Sequence, residues 1–287
     1  MKRSRVRAGL RAAGFVALVG ALVPIYLLLS PLGHRLRGAI AGLYMRGCRA
    51  LAGLSIRPLG HPASNKSVLY VANHVSYLDI VALGSLLNAT FVAKREVSGW
   101  PLFGWLARLG RTIFISREPQ QVGAERDLLV SRLAAGESLL LFPEGTTGDG
   151  SSVLPFKSAL FSSVGDGGGT PWVQPISIAY TRLADGRPIT PALSGLYAWL
   201  GDADLVPHLW SVFGLEGAEM DIIFHPLIDA RTFSSRKALA QHCEVEIVRG
   251  LFWSRATALE PNRLEGSASM PWPILAATEE AYSPAGS

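Results

Sequence analysis

The stretch 68-VLYVANHVSYLDIV-81 runs from a block of apolar residues into Asn73-His74 and then, five residues past the histidine, reaches Asp79. Its first part, 67-SVLYVA-72, has the length and the β-branched and aromatic content of a buried strand, and from Ser76 onward the pattern is helical. A strand that turns directly into a helix is the repeating unit of an α/β domain. Were residues 74–79 one regular helix, His74 and Asp79 would sit about 140° apart around the axis and could not meet. A strand ending near His74 and a helix starting near Ser76, with Ser76 as N-cap, bends the chain so that Asp79 returns to the imidazole. A carboxylate on one ring nitrogen fixes the tautomer and leaves the other nitrogen to take a proton from an alcohol. Taken alone, the His-x4-Asp spacing is also common by chance. Metal ligation has weaker support still, because no second His/Asp/Glu cluster accompanies it.

Downstream of residue 57 the same alternation continues. Strands are expected at 67–72, 90–94, 112–116, 138–143, 173–180 and 220–226, with helices at about 77–87, 100–109, 121–135, 155–164 and 235–252. Other strand ends also carry suggestive residues. In 142-FPEGTTGDG-150, glycines allow close backbone approach, and the amides around Thr146 and Thr147 suit a phosphate or a developing oxyanion. Glu144 stands where it could hold a hydroxyl or a cation. Arg117, closing 110-GRTIFISR-117, offers the planar fork that matches a phosphate, and Lys94 ends another apolar run.

The N-terminal region is of a different kind. Residues 1–57 contain ten Lys/Arg and no acid, whereas the rest of the chain has seventeen bases against twenty-two acids, so the formal charge of +5 is a local feature. A basic segment joined to the apolar run 14-GFVALVGALVPIYLLLS-30 points to a lipid surface and away from nucleic acid. The charge-free length from Ala12 to Leu32 is enough to cross a bilayer, and it lacks the small-x-small cleavage site of a signal peptide. Five bases precede the apolar run and five follow it, which leaves the orientation tied. In 35-RLRGAIAGLYMRGCRALAGL-54, Leu36, Ile40, Leu43, Tyr44, Leu51 and Leu54 share one helical arc, as in a helix lying in the headgroup plane. The expectation is a basic N-terminal membrane-embedded helical hairpin over 1–57, an α/β domain over 58–255 and a flexible tail over 256–287. Cys48 and Cys243 lack disulfide-framework or zinc spacing.

In order and content, His74-x4-Asp79, the Arg117 block, Phe142-Pro143-Glu144-Gly145-Thr146 and 173-VQPISIAY-180 resemble the four motifs of the glycerolipid acyltransferases typified by 1-acylglycerol-3-phosphate acyltransferase. The resemblance implies a single mixed-sheet αβα acyltransferase domain. The implied reaction moves a fatty acyl group from a thioester, acyl-CoA or acyl-ACP as co-substrate with no other cofactor, to a lysolipid hydroxyl. It implies His74 and Asp79 as the catalytic dyad, Arg117, Glu144 and Gly145 as binders of the acceptor's head, and Pro175 as a contributor to the site's frame or to donor binding. Gly110 lies one residue early for the second motif, and Ser116 stands where an Asp is usual. Lysophosphatidic acid is the expected acceptor. The alternative is lyso-ornithine lipid, because 197-YAWLGDADLVPHLW-210 resembles a bacterial subgroup that includes candidates for ornithine-lipid synthesis. The expected location is the inner membrane, with the catalytic domain facing the cytoplasm. The rivals are a lipid hydrolase, which lacks the support of a Gly-x-Ser-x-Gly elbow, and a non-catalytic membrane-surface lipid-binding protein.

Overall fold

The computed structural model describes residues 3–29, 31, 33–64, 66–116, 120–165, 168–201 and 203–260. Two helices lead, α1 (Arg5–Leu29) and α2 (His34–Ala52). They are followed by β1 (Leu54–Leu59), β2 (Leu69–Ala72), α3 (Tyr77–Leu86), β3 (Thr90–Lys94), α4 (Phe103–Leu109), β4 (Ile113–Ile115), α5 (Val122–Ala134) and β5 (Leu139–Leu141). The chain continues through β6 (Trp172–Leu183), the single turn α6 (Pro191–Ser194), α7 (Leu205–Gly214), β7 (Ala218–Phe224), β8 (Ile228–Asp229) and α8 (Arg236–Leu259).

The strands form one mixed sheet in the order β1-β7-β6-β2-β5-β3-β4, with β8 paired to the start of β6. From β6 to β4 all neighbours are parallel, so the carboxyl ends of β2, β3, β4 and β5 open on one edge, the edge where open α/β sheets collect ligands. Strand β7 runs antiparallel to β6, and β1 runs parallel to β7. The two-residue period of a strand divides the apolar side chains between two cores. Tyr70 and Ala72 face Leu78, Ala82 and Leu83 of α3 and Val212 of α7. Leu69 and Val71 face Leu129 and Leu133 of α5 and Leu239, Cys243 and Ile247 of α8. Each fully buried Leu or Ile in these layers contributes about 1.5–3 kcal/mol relative to an exposed one. The result is the expected αβα sandwich.

Two expected elements differ. Over 155–164 only a short 3-10 turn, Ser158–Phe161, forms. The amides that would have built a helix are engaged elsewhere, Phe156 with Glu244 Oε2 (2.7 Å) and Lys157 with the Pro143 carbonyl (2.9 Å). Leu54, read as part of the amphipathic helix, instead begins β1: α2 closes at Gly53, whose φ of 70° is the left-handed turn that favours glycine. Pro58 is tolerated in β1 because this is the edge strand. Helix α8 continues to Leu259, and the tail beyond Glu260 lies outside the described residues.

Helices α1 and α2 form an antiparallel hairpin, with Gly14 against Leu51 and Leu18 against Gly47. Helix α1 alone is long and apolar enough to cross a membrane, by length and composition, among the described residues. Yet it is bound to the domain at both ends. Arg11 Nη1 donates to the carbonyls of Phe213 (3.3 Å) and Leu215 (2.7 Å), and its Nη2 to Glu216 (3.0 Å). Arg7 Nη1 reaches the Gly214 carbonyl at 3.3 Å. These guanidinium groups satisfy the carbonyls left open at the C-terminus of α7, where the helix dipole favours positive charge. At its other end, Tyr26 donates to the Leu109 carbonyl of α4 (2.7 Å). Helix α2, expected to lie in a headgroup plane, packs on α3 with Met45 against Gly84 and Arg49 near Ser85 (3.4 Å). Ile40, Cys48 and Ala52 of α2 are buried. The outward side of α1 stays bare, with Val16 70% and Leu28 77% exposed.

The edge strand is held by a cross-strand ion pair. Arg57 donates through Nε to Asp221 Oδ1 (2.8 Å) and through Nη2 to Oδ2 (2.6 Å), and Asp221 is fully buried. Removing the cation alone leaves a buried carboxylate without compensation. Arg57→Ala is expected to lower unfolding free energy by about 1–2 kcal/mol in denaturant titration, less than for a fully buried pair because the Arg57 side chain is 42% exposed. The double replacement Arg57→Met/Asp221→Leu is expected to cost clearly less than the single one.

Candidate active site

Strand β2 ends at Ala72, and the next three residues turn into the N-cap of α3, Ser76. Asn73 fixes the turn to β6: its Nδ2 donates to the Ile178 carbonyl (2.9 Å) and its Oδ1 accepts from the Ile178 amide (2.8 Å). The bend that the spacing of His74 and Asp79 requires is present. Asp79, in the first turn of α3 and fully buried, accepts from His74 Nδ1 at 2.8 Å. The same Oδ2 accepts the amides of Val75 (2.6 Å) and Ser76 (2.9 Å), and Oδ1 accepts from the Tyr180 hydroxyl (2.9 Å). With Nδ1 engaged, Nε2 is the nitrogen of His74 left to accept a proton, and no described residue bonds to it. The imidazole stacks on Phe142, with ring centroids 3.9 Å apart and planes 11° apart, so its orientation is fixed by packing as well as by the carboxylate.

Strand β5, next to β2, delivers 142-FPEGTTGDG-150 onto the same edge. Gly145, with φ 69°, makes the tight turn that an L side chain would strain. Glu144 was expected to hold the acceptor's polar head. Its oxygens instead accept the amides of His74 (2.7 Å) and Leu154 (2.8 Å), and only 3% of the residue is exposed. It braces the histidine loop from below, and the Gly148 amide adds a second tie to the His74 carbonyl (2.8 Å). The amides of Thr146 and Thr147 make no hydrogen bond among the described residues, and Thr146 is exposed. They remain available to an incoming oxygen. The Thr147 hydroxyl donates to the Trp199 carbonyl.

Other expected residues lie further out. Lys94 ends β3, two strands from β2 and so about 10 Å away along the edge. Arg117 lies outside the described residues; Ser116 before it is tied to the Glu125 carboxylate and to Gln121 Oε1 (3.0 Å). Pro175 is buried in β6 opposite Val71, beneath the site, and its carbonyl accepts from the His225 amide (3.0 Å). Three contributors went unassigned in the sequence reading: Asn73, Phe142 and Tyr180. Each stood inside a quoted motif, but their partners, Ile178, His74 and Asp79, are more than 60 residues away in the chain, beyond what spacing reveals.

Burial raises the Glu144 carboxyl to about 7, against the opposing pull of its two amide donors. A carboxyl whose folded value exceeds the unfolded one holds its proton more tightly when folded, so stability is greatest below about 4.5 and falls as pH rises toward 7. Wild-type protein is therefore expected to lose several degrees of melting temperature between about pH 5 and pH 7.5, with this part of the slope absent in Glu144→Gln. Parallel slopes in the two proteins would refute the assignment.

The acyltransferase family's sequence pattern matches residues 56–179. The chain is 36% identical over 256 residues to the lyso-ornithine lipid O-acyltransferase of Rhodobacter capsulatus, covering 87% of this chain and 90% of the relative. It is 32% identical over 205 residues to the 1-acyl-sn-glycerol-3-phosphate acyltransferase of Neisseria gonorrhoeae, covering 70% and 77% respectively. The crystal structure of PlsC, the 1-acyl-sn-glycerophosphate (LPA) acyltransferase from Thermotoga maritima, has the same fold, with a TM-score of 0.65 at 20% identity over 88% of this chain and 98% of that one. A His–Asp dyad at the mouth of this sheet, a family pattern across the motifs that build it and relatives that match along most of their length together establish that the chain belongs to the acyltransferase family.

Proposed function

We propose that the protein moves a fatty acyl group from acyl-CoA or acyl-ACP to the free hydroxyl of lyso-ornithine lipid, with His74 as general base. The observation that carries this reading is the 2.8 Å contact between His74 Nδ1 and Asp79, which leaves Nε2 without a hydrogen bond among the described residues. The acceptor's hydroxyl gives its proton to Nε2 while its oxygen attacks the thioester carbonyl. The buried Asp79 carboxylate stabilises the imidazolium that forms. The free amides of Thr146 and Thr147 receive the oxyanion of the tetrahedral intermediate. Collapse breaks the C–S bond, and the imidazolium returns the proton to the departing thiolate.

The choice of acceptor rests on similarity. The relative named for lyso-ornithine lipid matches at 36% over 87% of the chain, and the one named for 1-acyl-sn-glycerol-3-phosphate at 32% over 70%. Lysophosphatidic acid, the acceptor expected from the motifs, is the second reading and is supported by the latter relative. The membrane contributes proximity, since acceptor and product both reside in it. The bare side of α1 and the exposed Leu102, Trp105, Val206 and Trp210 supply apolar surface suited to the inner leaflet, with the domain on the cytoplasmic side.

With one labelled acyl thioester and both lysolipids offered in parallel, His74→Ala is expected to lower turnover by roughly two to four orders of magnitude. An undiminished rate would remove His74 from its role. Product from lysophosphatidic acid alone would keep the chemistry and change the acceptor. Val16→Asp with Leu28→Asp is expected to reduce co-sedimentation with anionic vesicles; unchanged binding would place the membrane face elsewhere.

A further inference from the structure

The segment 196–201 lies against the catalytic loops, and the mechanism above uses none of its side chains. Its backbone is built into the catalytic loops: the Trp199 amide donates to the Val75 carbonyl (3.0 Å), and the Trp199 carbonyl accepts from Thr147. Tyr197 beside it is buried and stacks on Tyr180, the donor to Asp79, with ring centroids 5.7 Å apart. Trp199 is therefore held one residue's reach from His74, between the two loops that carry the chemistry. Its indole is oriented by a hydrogen bond from Nε1 to the Ala203 carbonyl (2.8 Å). Two further rings meet it edge to face, Trp100 at 5.2 Å and Tyr77 at 6.1 Å. Tyr77 is itself fixed by His208, ring against ring at 5.6 Å and hydroxyl to Nδ1 at 3.1 Å.

All four rings are only partly buried, and Asp204 at the start of α7 is exposed beside them. Burial, with Arg3 adding to it, pushes the His208 imidazole down and so favours its uncharged form at neutral pH. The face of an aromatic ring is negative, so a ring face left open by this edge-to-face packing attracts an ammonium and gains nothing from a phosphate. An ornithine head group presents an ammonium and a carboxylate where lysophosphatidic acid presents a phosphate.

We propose that Trp199, Trp100 and Tyr77 form an aromatic recognition site for the ammonium of the acceptor's head group and thereby set the preference for an amino-acid lipid over a phosphate lipid. The inference rests on the lyso-ornithine lipid reading above and names the residues that would enforce it. Trp199 and Trp100 act on binding and selectivity, and the proton transfer stays with His74.

The test uses the full chain in detergent micelles with three acceptors: lyso-ornithine lipid, the same lipid acetylated on its side-chain amine, and lysophosphatidic acid. Wild type is expected to show kcat/KM about tenfold higher for the charged lipid than for the acetylated one. In Trp199→Leu this ratio is expected to fall close to one through a rise in KM for the charged lipid, and Trp199→Phe, which keeps a ring, to retain most of it. Melting temperatures of both variants separate a lost contact from a lost fold. A ratio that stays at the wild-type value in Trp199→Leu, even with lower activity on every acceptor, would overturn the aromatic site and assign the cluster to packing or membrane seating. A wild-type enzyme that acylates only lysophosphatidic acid would instead overturn the acceptor reading, and this inference with it.

Discussion

Most of the active site is organised around one buried carboxylate. Asp79 accepts four hydrogen bonds, from a side chain and two amides of the histidine loop and from Tyr180 across the sheet. Burying a charge is expensive unless it is fully bonded, so this group both requires and enforces the arrangement around it. It specifies where α3 begins, because two of its donors are the amides at that helix's start. It ties β6 to the β2 turn, and it sets the tautomer of His74. Glu144 then holds the same loop from the other side through the His74 amide, so the imidazole is located by two acids with unlike tasks. One orients a side chain, and the other positions the backbone that carries it.

Local pattern revealed a large part of this. The strand ending at His74, the cap at Ser76 and the meeting of His74 with Asp79 were all legible, because each follows from periodicity and from the geometry of a strand-to-helix turn. The parallel core strands were legible too, as apolar runs bounded by turn residues. Glu144 was visible as a site residue, but its partners were not, since Leu154 and His74 reach it only through the fold. The region 155–164 looked helical because its composition permits a helix, and tertiary partners for the amides of Phe156 and Lys157 overrode that propensity. Strand β1 was hidden by Pro58, which normally argues against a strand and is accommodated here at the sheet's edge.

The basic N-terminus shows the limit of reading charge from composition. Ten bases without an acid suggested attraction to anionic lipid, and the apolar outer side of α1 agrees with a membrane surface. Several of those bases, however, serve the protein itself: Arg7 and Arg11 close the end of α7, and Arg57 pairs with the buried Asp221. A net charge cannot distinguish a guanidinium that meets a phosphate from one that meets a peptide carbonyl.

That docking also makes the anchor part of the instrument. Helix α1 is fastened at Arg11 to the helix that follows the Trp199 segment and at Tyr26 to α4, so no slack linker separates the lipid-facing surface from the histidine. With the bare side of α1 set against lipid as proposed, the height of the imidazole above that surface is a fixed dimension of the fold, as the reach of a caliper is fixed by its frame. A hydroxyl that floats deeper or shallower than that height must be displaced along the membrane normal before it can react. Under the proposed docking on lipid, the acceptor hydroxyl within reach is the one that rides at that height in the leaflet.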